Sequence, residues 1–211
     1  MKAIVEHIRN ASEAIAIAQS PEELKSITDA DCAGVIWYRQ PKRSIEDWIS
    51  TLPPEQLPSV RLVLRPETVR VAVVAACEIS EMPDCAERTQ LIDDIAALAD
   101  TFSAIMKPPL LRLRLDRVTT NACRKFHVDA LSARLICTYR GAATQFAIRD
   151  NRAEPAHIFD APTGSPIILR GTLWPEQPST GLLHRSPPIE GTGETRLVLV
   201  LDPIFEEQED V

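Results

Sequence analysis

No CxxC pair, internal repeat, low-complexity tract or apolar run of membrane-spanning length occurs in this 211-residue chain, and positive charge is not in surplus. Lys and Arg number 23 against 30 Asp and Glu, a net charge of −7, which argues against a broad basic surface for nucleic acid. Arg112, Arg114 and Arg117 form the densest basic cluster, but apolar residues separate them, so they read as one face of a strand. The five cysteines (Cys32, Cys77, Cys85, Cys123 and Cys137) are odd in number and unpaired by spacing, which predicts reduced thiols in a cytoplasmic protein. The opening Met1-Lys2-Ala3-Ile4-Val5-Glu6 has no continuous apolar core, so no signal peptide is expected. No membrane partner is expected either. Glycine is scarce, at 7, while proline reaches 17 and punctuates the first third at Pro41, Pro53, Pro54, Pro58 and Pro66, so the elements there should be short.

What is present suggests one soluble domain, 1–211, with 45% hydrophobic and 25% charged residues. A mostly helical part, 1–109, precedes a β-rich part, 110–205, and an acidic tail, 206–211. Pro21 to Asp29 reads as a short helix with Ser20 as its cap, Val35 to Tyr38 as a strand, Ser44 onward as a helix, Arg61 to Leu64 as a strand and Glu67 to Cys77 as a buried helix. Leu91, Ile92, Ile95, Leu98, Ala99, Phe102 and Ile105 recur at three- and four-residue steps, which predicts a long helix from Asp84, its cap, to Lys107. Beyond Pro109 the period changes. Leu111, Leu113 and Leu115 alternate with polar residues, and further strands are expected at Leu131–Tyr139, Thr144–Ile148, Pro166–Arg170 and Arg196–Asp202, as in a sandwich or barrel.

The chemistry concentrates at Phe126-His127-Val128-Asp129. Two residues apart on extended chain, His127 and Asp129 point to one face. His184 follows fifty-seven residues after His127, and Arg196 twelve after that, opening the apolar run Leu197 to Leu201. Two imidazoles and one carboxylate are the facial set that holds Fe(II) and leaves positions open. His7 and His157 fit the third place less well. Other readings remain. His127 and Asp129 could be a structural pair at a strand end, with His184 in a loop and Arg196 paired to Glu194 or Asp202, in a metal-free interaction module. Trp174, between Gly171 and Pro175, is a candidate lid for the barrel mouth.

From Leu110 to Asp202 the chain resembles the Fe(II)/2-oxoglutarate-dependent oxygenase superfamily, through His127-Val128-Asp129, Tyr139, Leu183-His184-Arg185-Ser186-Pro187 and Arg196. The resemblance implies an α+β fold, a helical N-terminal half packed on a C-terminal double-stranded β-helix (a jelly-roll or cupin-like barrel). It implies His127, Asp129 and His184 as metal ligands. Arg196 would hold the far carboxylate of 2-oxoglutarate, with Tyr139 beside it. The cofactors would be Fe(II) and 2-oxoglutarate, and the activity hydroxylation of a small-molecule or protein substrate. Arg140 to Gln145 differs from the Gly-rich acidic stretch of that superfamily. Cys123, four residues before His127, and Arg134 would stand just outside the ligands; Cys123 is also an alternative ligand, because thiolates favour zinc. The whole chain resembles a bacterial domain family, through Cys123 to Asp129, Cys137 to Gly141 and His184 to Pro187, whose neighbourhood is associated with zinc homeostasis. That resemblance implies Zn(II) as the alternative metal. Oligomeric state is open.

Overall fold

A computed structural model of the chain describes residues 15–39, 43–149, 155, 157–175 and 181–205. The expected acidic tail and the amino-terminal segment with His7 lie outside them. Ten strands and three α-helices are described: β1 (Ile15–Ala18), β2 (Gly34–Trp37), α1 (Arg43–Thr51), β3 (Val60–Leu64), α2 (Val69–Ile79), α3 (Ala86–Met106), β4 (Leu110–Val118), β5 (Ala133–Arg140), β6 (Gln145–Ile148), β7 (Ile158–Asp160), β8 (Ile167–Arg170), β9 (Leu182–Arg185) and β10 (Arg196–Ile204). Pro21–Thr28 is a 3₁₀ segment.

The strands form two sheets. The larger runs β1-β2-β8-β5-β10-β4-β3, and the smaller β7-β6-β9. A backbone bridge between His127 and His184 adds one more rung to the smaller sheet beside β9. From β4 onward the chain alternates between sheets: β4 in the larger, the His127 bridge in the smaller, β5 in the larger, β6 and β7 in the smaller, then β8, β9 and β10 in turn. That is the winding of a jelly roll, or double-stranded β-helix. Adjacent strands are antiparallel except β1 and β2.

Strand parity divides the core. Leu111, Leu113, Leu115, Leu135, Cys137, Leu197, Leu199 and Leu201 face the helices, in a cluster with Leu91, Ile95, Leu98 and Phe102 of α3. Their alternate neighbours Ile136, Val198 and Val200 face the smaller sheet and pack with Phe146 and Leu169. β10 is apolar along almost its whole length because it is covered on both faces.

The amino-terminal part carries all three described α-helices and also three strands. β1 and β2 extend one edge of the larger sheet through β8, and β3 covers the other edge through β4. Short β-branched runs find their partners across the sheet edges, which would otherwise stand open. The cap of α3 is Cys85 rather than Asp84, and the helix ends at Lys107 in the left-handed region (φ 51), just before Pro108. No helix among the described residues is long and apolar enough to cross a membrane.

Candidate metal centre

His127 and His184 are cross-strand neighbours. Each backbone N–H donates to the other's carbonyl at 3.0 Å, so both side chains leave the sheet on one side. Their ring centroids are 4.5 Å apart. Asp129 reaches the same side. Its Oδ2 is 3.0 Å from His184 Nε2 and its Oδ1 is 3.5 Å from His127 Nε2. One ligand atom from each of the three lies within 4.8 Å of the others, a separation one cation could span with bonds of ~2.0–2.2 Å.

The hydrogen bonds around the trio leave lone pairs free. His127 Nδ1 is 2.8 Å from the Lys125 carbonyl oxygen. A carbonyl can only accept, so Nδ1 carries the proton and Nε2 is a bare donor atom for a metal. Asp129 Oδ2 is buried and receives no well-aligned hydrogen bond; its neighbour is His184 Nε2 at 3.0 Å. An unpaired carboxylate oxygen beside imidazole nitrogens is what a divalent ion would satisfy. Burial raises the Asp129 pKa, but the neighbouring His184, Arg134 and His127 outweigh it and hold the group at about 2.

Arg134 fixes that carboxylate. Its Nη1 donates to Asp129 Oδ1 at 2.6 Å, while Nε and Nη2 hold both oxygens of Asp202 at 2.6 and 2.9 Å. The Asp129 carbonyl accepts from Thr172 N–H at 2.8 Å. Side chain and backbone are thus both tied, which presets the ligand.

A cavity of ≈ 100 Å³ opens beside the trio, lined by His127, His184 and Arg134 and walled by Ile136, Val198 and Val200. Arg196 also lines it and is 1% exposed. Its Nε donates to the Ala142 carbonyl and its Nη1 to Ser186 Oγ at 3.3 Å, while Nη2 is buried without a partner. Burial pulls this guanidinium down to about 10, only partly offset by Glu194, so it is a cation at neutral pH. It pairs with neither Glu194, whose carboxylate accepts from Ala142 N–H, nor Asp202, which Arg134 holds. Ser186 stands two residues beyond His184, about 7 Å of extended chain. Gly141, at φ +80°, makes room for this arrangement: a Cβ there would lie 3.0 Å from Arg196 Cγ and 2.7 Å from Glu194 Oε1.

Of three expected neighbours, two lie elsewhere and one stands outside the trio. Tyr139 is on the opposite face of β5, in the helix-side core, where its hydroxyl donates to Asp94 Oδ2 of α3 at 2.6 Å. Parity is the reason: residues 135, 137 and 139 face the helices, while 134 and 136 face the cavity. Arg39 holds the same Asp94 through two nitrogens at 2.5 and 2.6 Å, and burial raises the Tyr139 pKa. Tyr139 is therefore not a keto-acid contact. Cys123 lines the cavity but is exposed and outside the converging trio. Trp174 packs on the helix-side core beneath the Arg170 guanidinium, 4.5 Å from its ring centroid, and does not cover the mouth. The sequence assigns no role to Ser186 or Arg114 and offers Asp202 only as a partner for Arg196. The alternating polar face of β4 and the polar interruption of the β10 run at Asp202 are the signals that carry two of them.

Fold and site together define a two-sheet α+β protein of jelly-roll winding with a His–Asp–His group beside a cavity. Within that class, the family model described as "Protein of unknown function (DUF1826)" matches residues 18–202, and the chain belongs to this family. No curated protein matches it. Among solved structures it is similar to the rice dioxygenase for auxin oxidation (TM-score 0.49, 11% identity, 90% of this chain and 82% of that one). It is also similar to the dioxygenase for auxin oxidation 1 of Arabidopsis thaliana in its 2-oxoglutarate complex (TM-score 0.46, 11% identity, 93% and 94%). A prolyl-4-hydroxylase of Pseudomonas putida is a third (TM-score 0.46, 8% identity, 89% and 100%). At these scores and identities nothing is transferred from them, and function rests on the side chains described above.

Proposed function

We propose that the protein is an Fe(II)/2-oxoglutarate-dependent oxygenase that hydroxylates a small-molecule or protein substrate in a reducing, cytoplasmic setting. One observation carries this reading: two imidazoles on a cavity converge with an ionised carboxylate, and a buried guanidinium with an unpaired nitrogen lines the same cavity. The donor set fits a ferrous ion, since three protein ligands leave positions for a chelating keto acid. The unpaired Nη2 of Arg196, with Ser186 beside it, fits the far carboxylate of that acid. When bound, iron and the keto acid supply the oxidising chemistry. The chain's own residues do the rest. His127, Asp129 and His184 hold the metal, and Arg134 keeps Asp129 anionic and oriented. Arg196 fixes the keto acid's register, and Ile136, Val198 and Val200 keep the space between them dry.

The test is anaerobic titration of 2-oxoglutarate into Fe(II)- or Mn(II)-loaded protein. Saturable binding is expected, weakened at least tenfold in Arg196→Gln, because a buried carboxylate would lose its cation. No uptake by the loaded wild type overturns the oxygenase reading.

One feature favours a second reading, zinc binding linked to zinc homeostasis on the same barrel. The Cys123 thiol lines the cavity that His127 and His184 line, and thiolates favour zinc. Zinc in the purified protein, lost in Cys123→Ser, with no keto-acid binding, would establish it.

A further inference from the structure

The cavity holds more positive charge than a metal centre and one keto acid use. Arg114, on the cavity face of β4, sits in one row across the sheet with Val200 and Ile136. Its Nε is buried without a partner. Its nearest carboxylate contact is Asp202, where Nη2 stands 3.5 Å from Oδ2, too long for a strong charge-assisted bond. Arg134 holds both Asp202 oxygens more closely, at 2.6 and 2.9 Å. Asp116, two residues along the same face, is held by Arg61 at 2.8 and 3.1 Å. Arg61 is also the register partner of Arg114 on β3, so a like charge flanks it there. Arg114, its side chain 25% exposed but its Nε buried, thus has cations on two sides, and its neighbouring carboxylates are held more closely by other arginines.

A buried polar nitrogen without a partner and an under-compensated charge have the same remedy, an anion from outside. Nε and Nη2 form one edge of the guanidinium, a two-donor edge that matches a planar carboxylate. We propose that Arg114 anchors a carboxylate on the molecule that reacts beside the metal centre, so the primary substrate is an organic acid. This deepens the oxygenase reading and rests on it for the word substrate. The anion site itself stands on Arg114 alone.

The experiment is calorimetric titration of the full chain, loaded with Mn(II), with and without saturating 2-oxoglutarate. The probes are propionate and phenylacetate, each against its primary amide. The wild type is expected to bind each acid at least tenfold more tightly than its amide. Arg114→Gln erases that preference. Arg114→Lys, which keeps the charge but loses the planar edge, keeps the preference and weakens the acid about tenfold. Should Arg114→Gln fail to fold, the lysine variant decides, and acid affinity equal to wild type overturns the proposal. A wild type that binds neither acid, or does not distinguish acid from amide, also overturns it, as does an Arg114→Gln protein that keeps the preference. If 2-oxoglutarate fails to bind while the Arg114-dependent preference remains, the oxygenase reading falls and the carboxylate site stands.

Discussion

Asp129 concentrates the electrostatics of the site in one side chain. Its pKa falls from 3.8 to about 2 because His184, Arg134 and His127 favour the anion more than burial disfavours it. A carboxylate whose folded pKa is depressed stabilises the fold above its unfolded pKa, and that stability is lost as pH falls through the folded value. The window is therefore about pH 4 to 2, and the size roughly 2 kcal/mol at 1.36 kcal/mol per unit. In metal-free protein with chelator, wild type should exceed Asp129→Asn by about that amount at pH 6. The gap should close as pH is lowered toward 2. Denaturant midpoints stepped through this range check it, and a gap independent of pH would contradict the assigned ionisation. At this scale the sequence was readable wherever residue chemistry is rare. His127, Asp129, His184 and Arg196 stood out by type and spacing. Tyr139 did not follow, because a strand residue's face depends on register, and one step of parity separates the cavity from the helix layer.

Between residue and molecule, the elements act by bringing loops into contact. The segment after β8 pairs with the loop that carries Asp129. Gly171 N–H donates to Ser132 O at 2.8 Å, Thr172 N–H to Asp129 O at 2.8 Å and Leu173 N–H to Leu131 O at 3.0 Å. A Cβ on Gly171 would stand 2.0 Å from Leu131 O and 2.7 Å from Asp129 O, both backbone atoms that cannot turn aside. Gly171→Ala should therefore push the Asp129 loop off the two histidines. The expected result is a loss of at least tenfold in Mn(II) affinity and a stability cost of about 1–3 kcal/mol. Gly191→Ala is the comparison. Its φ of +80° disfavours a side chain, but nothing lies within 4 Å of the added Cβ. It should cost about 1 kcal/mol and leave metal affinity unchanged. Equal metal affinity in both variants would mean that this close approach does not place Asp129. Elements differed in how openly the sequence declared them. α3 has six buried positions at helical steps, and β4 alternates from Leu110 to Asp116. β1, β7 and β9 run three or four residues each, too short for a period to emerge, and β9 carries His184.

For the whole molecule, the question is whether the barrel stands without the first 109 residues. Composition divides the chain at Pro109, where helical spacing gives way to alternation. The hydrogen bonds do not respect that division: β2 pairs with β8 and β3 with β4. Such pairings between segments far apart in the sequence leave no local trace, which is why they were not legible. The cost of separation can be sized. Leu111, Leu113, Leu115, Leu135, Leu197, Leu199 and Leu201 are all 0% exposed on the helix-facing side of the larger sheet. Uncovering them at roughly 1.5–3 kcal/mol each removes on the order of 10–20 kcal/mol. A domain's whole stability is about 5–15 kcal/mol. A fragment beginning at Leu110 should therefore be aggregated or unfolded, by size-exclusion chromatography and far-ultraviolet circular dichroism, and should bind no Mn(II). Adding the separate 1–109 segment during refolding should restore some metal binding, because the missing strands and helices are supplied in trans. A monodisperse fragment from Leu110 that binds Mn(II) like the full chain would show that the helix layer and β1 to β3 are accessory, and that the jelly roll holds its site by its own two sheets.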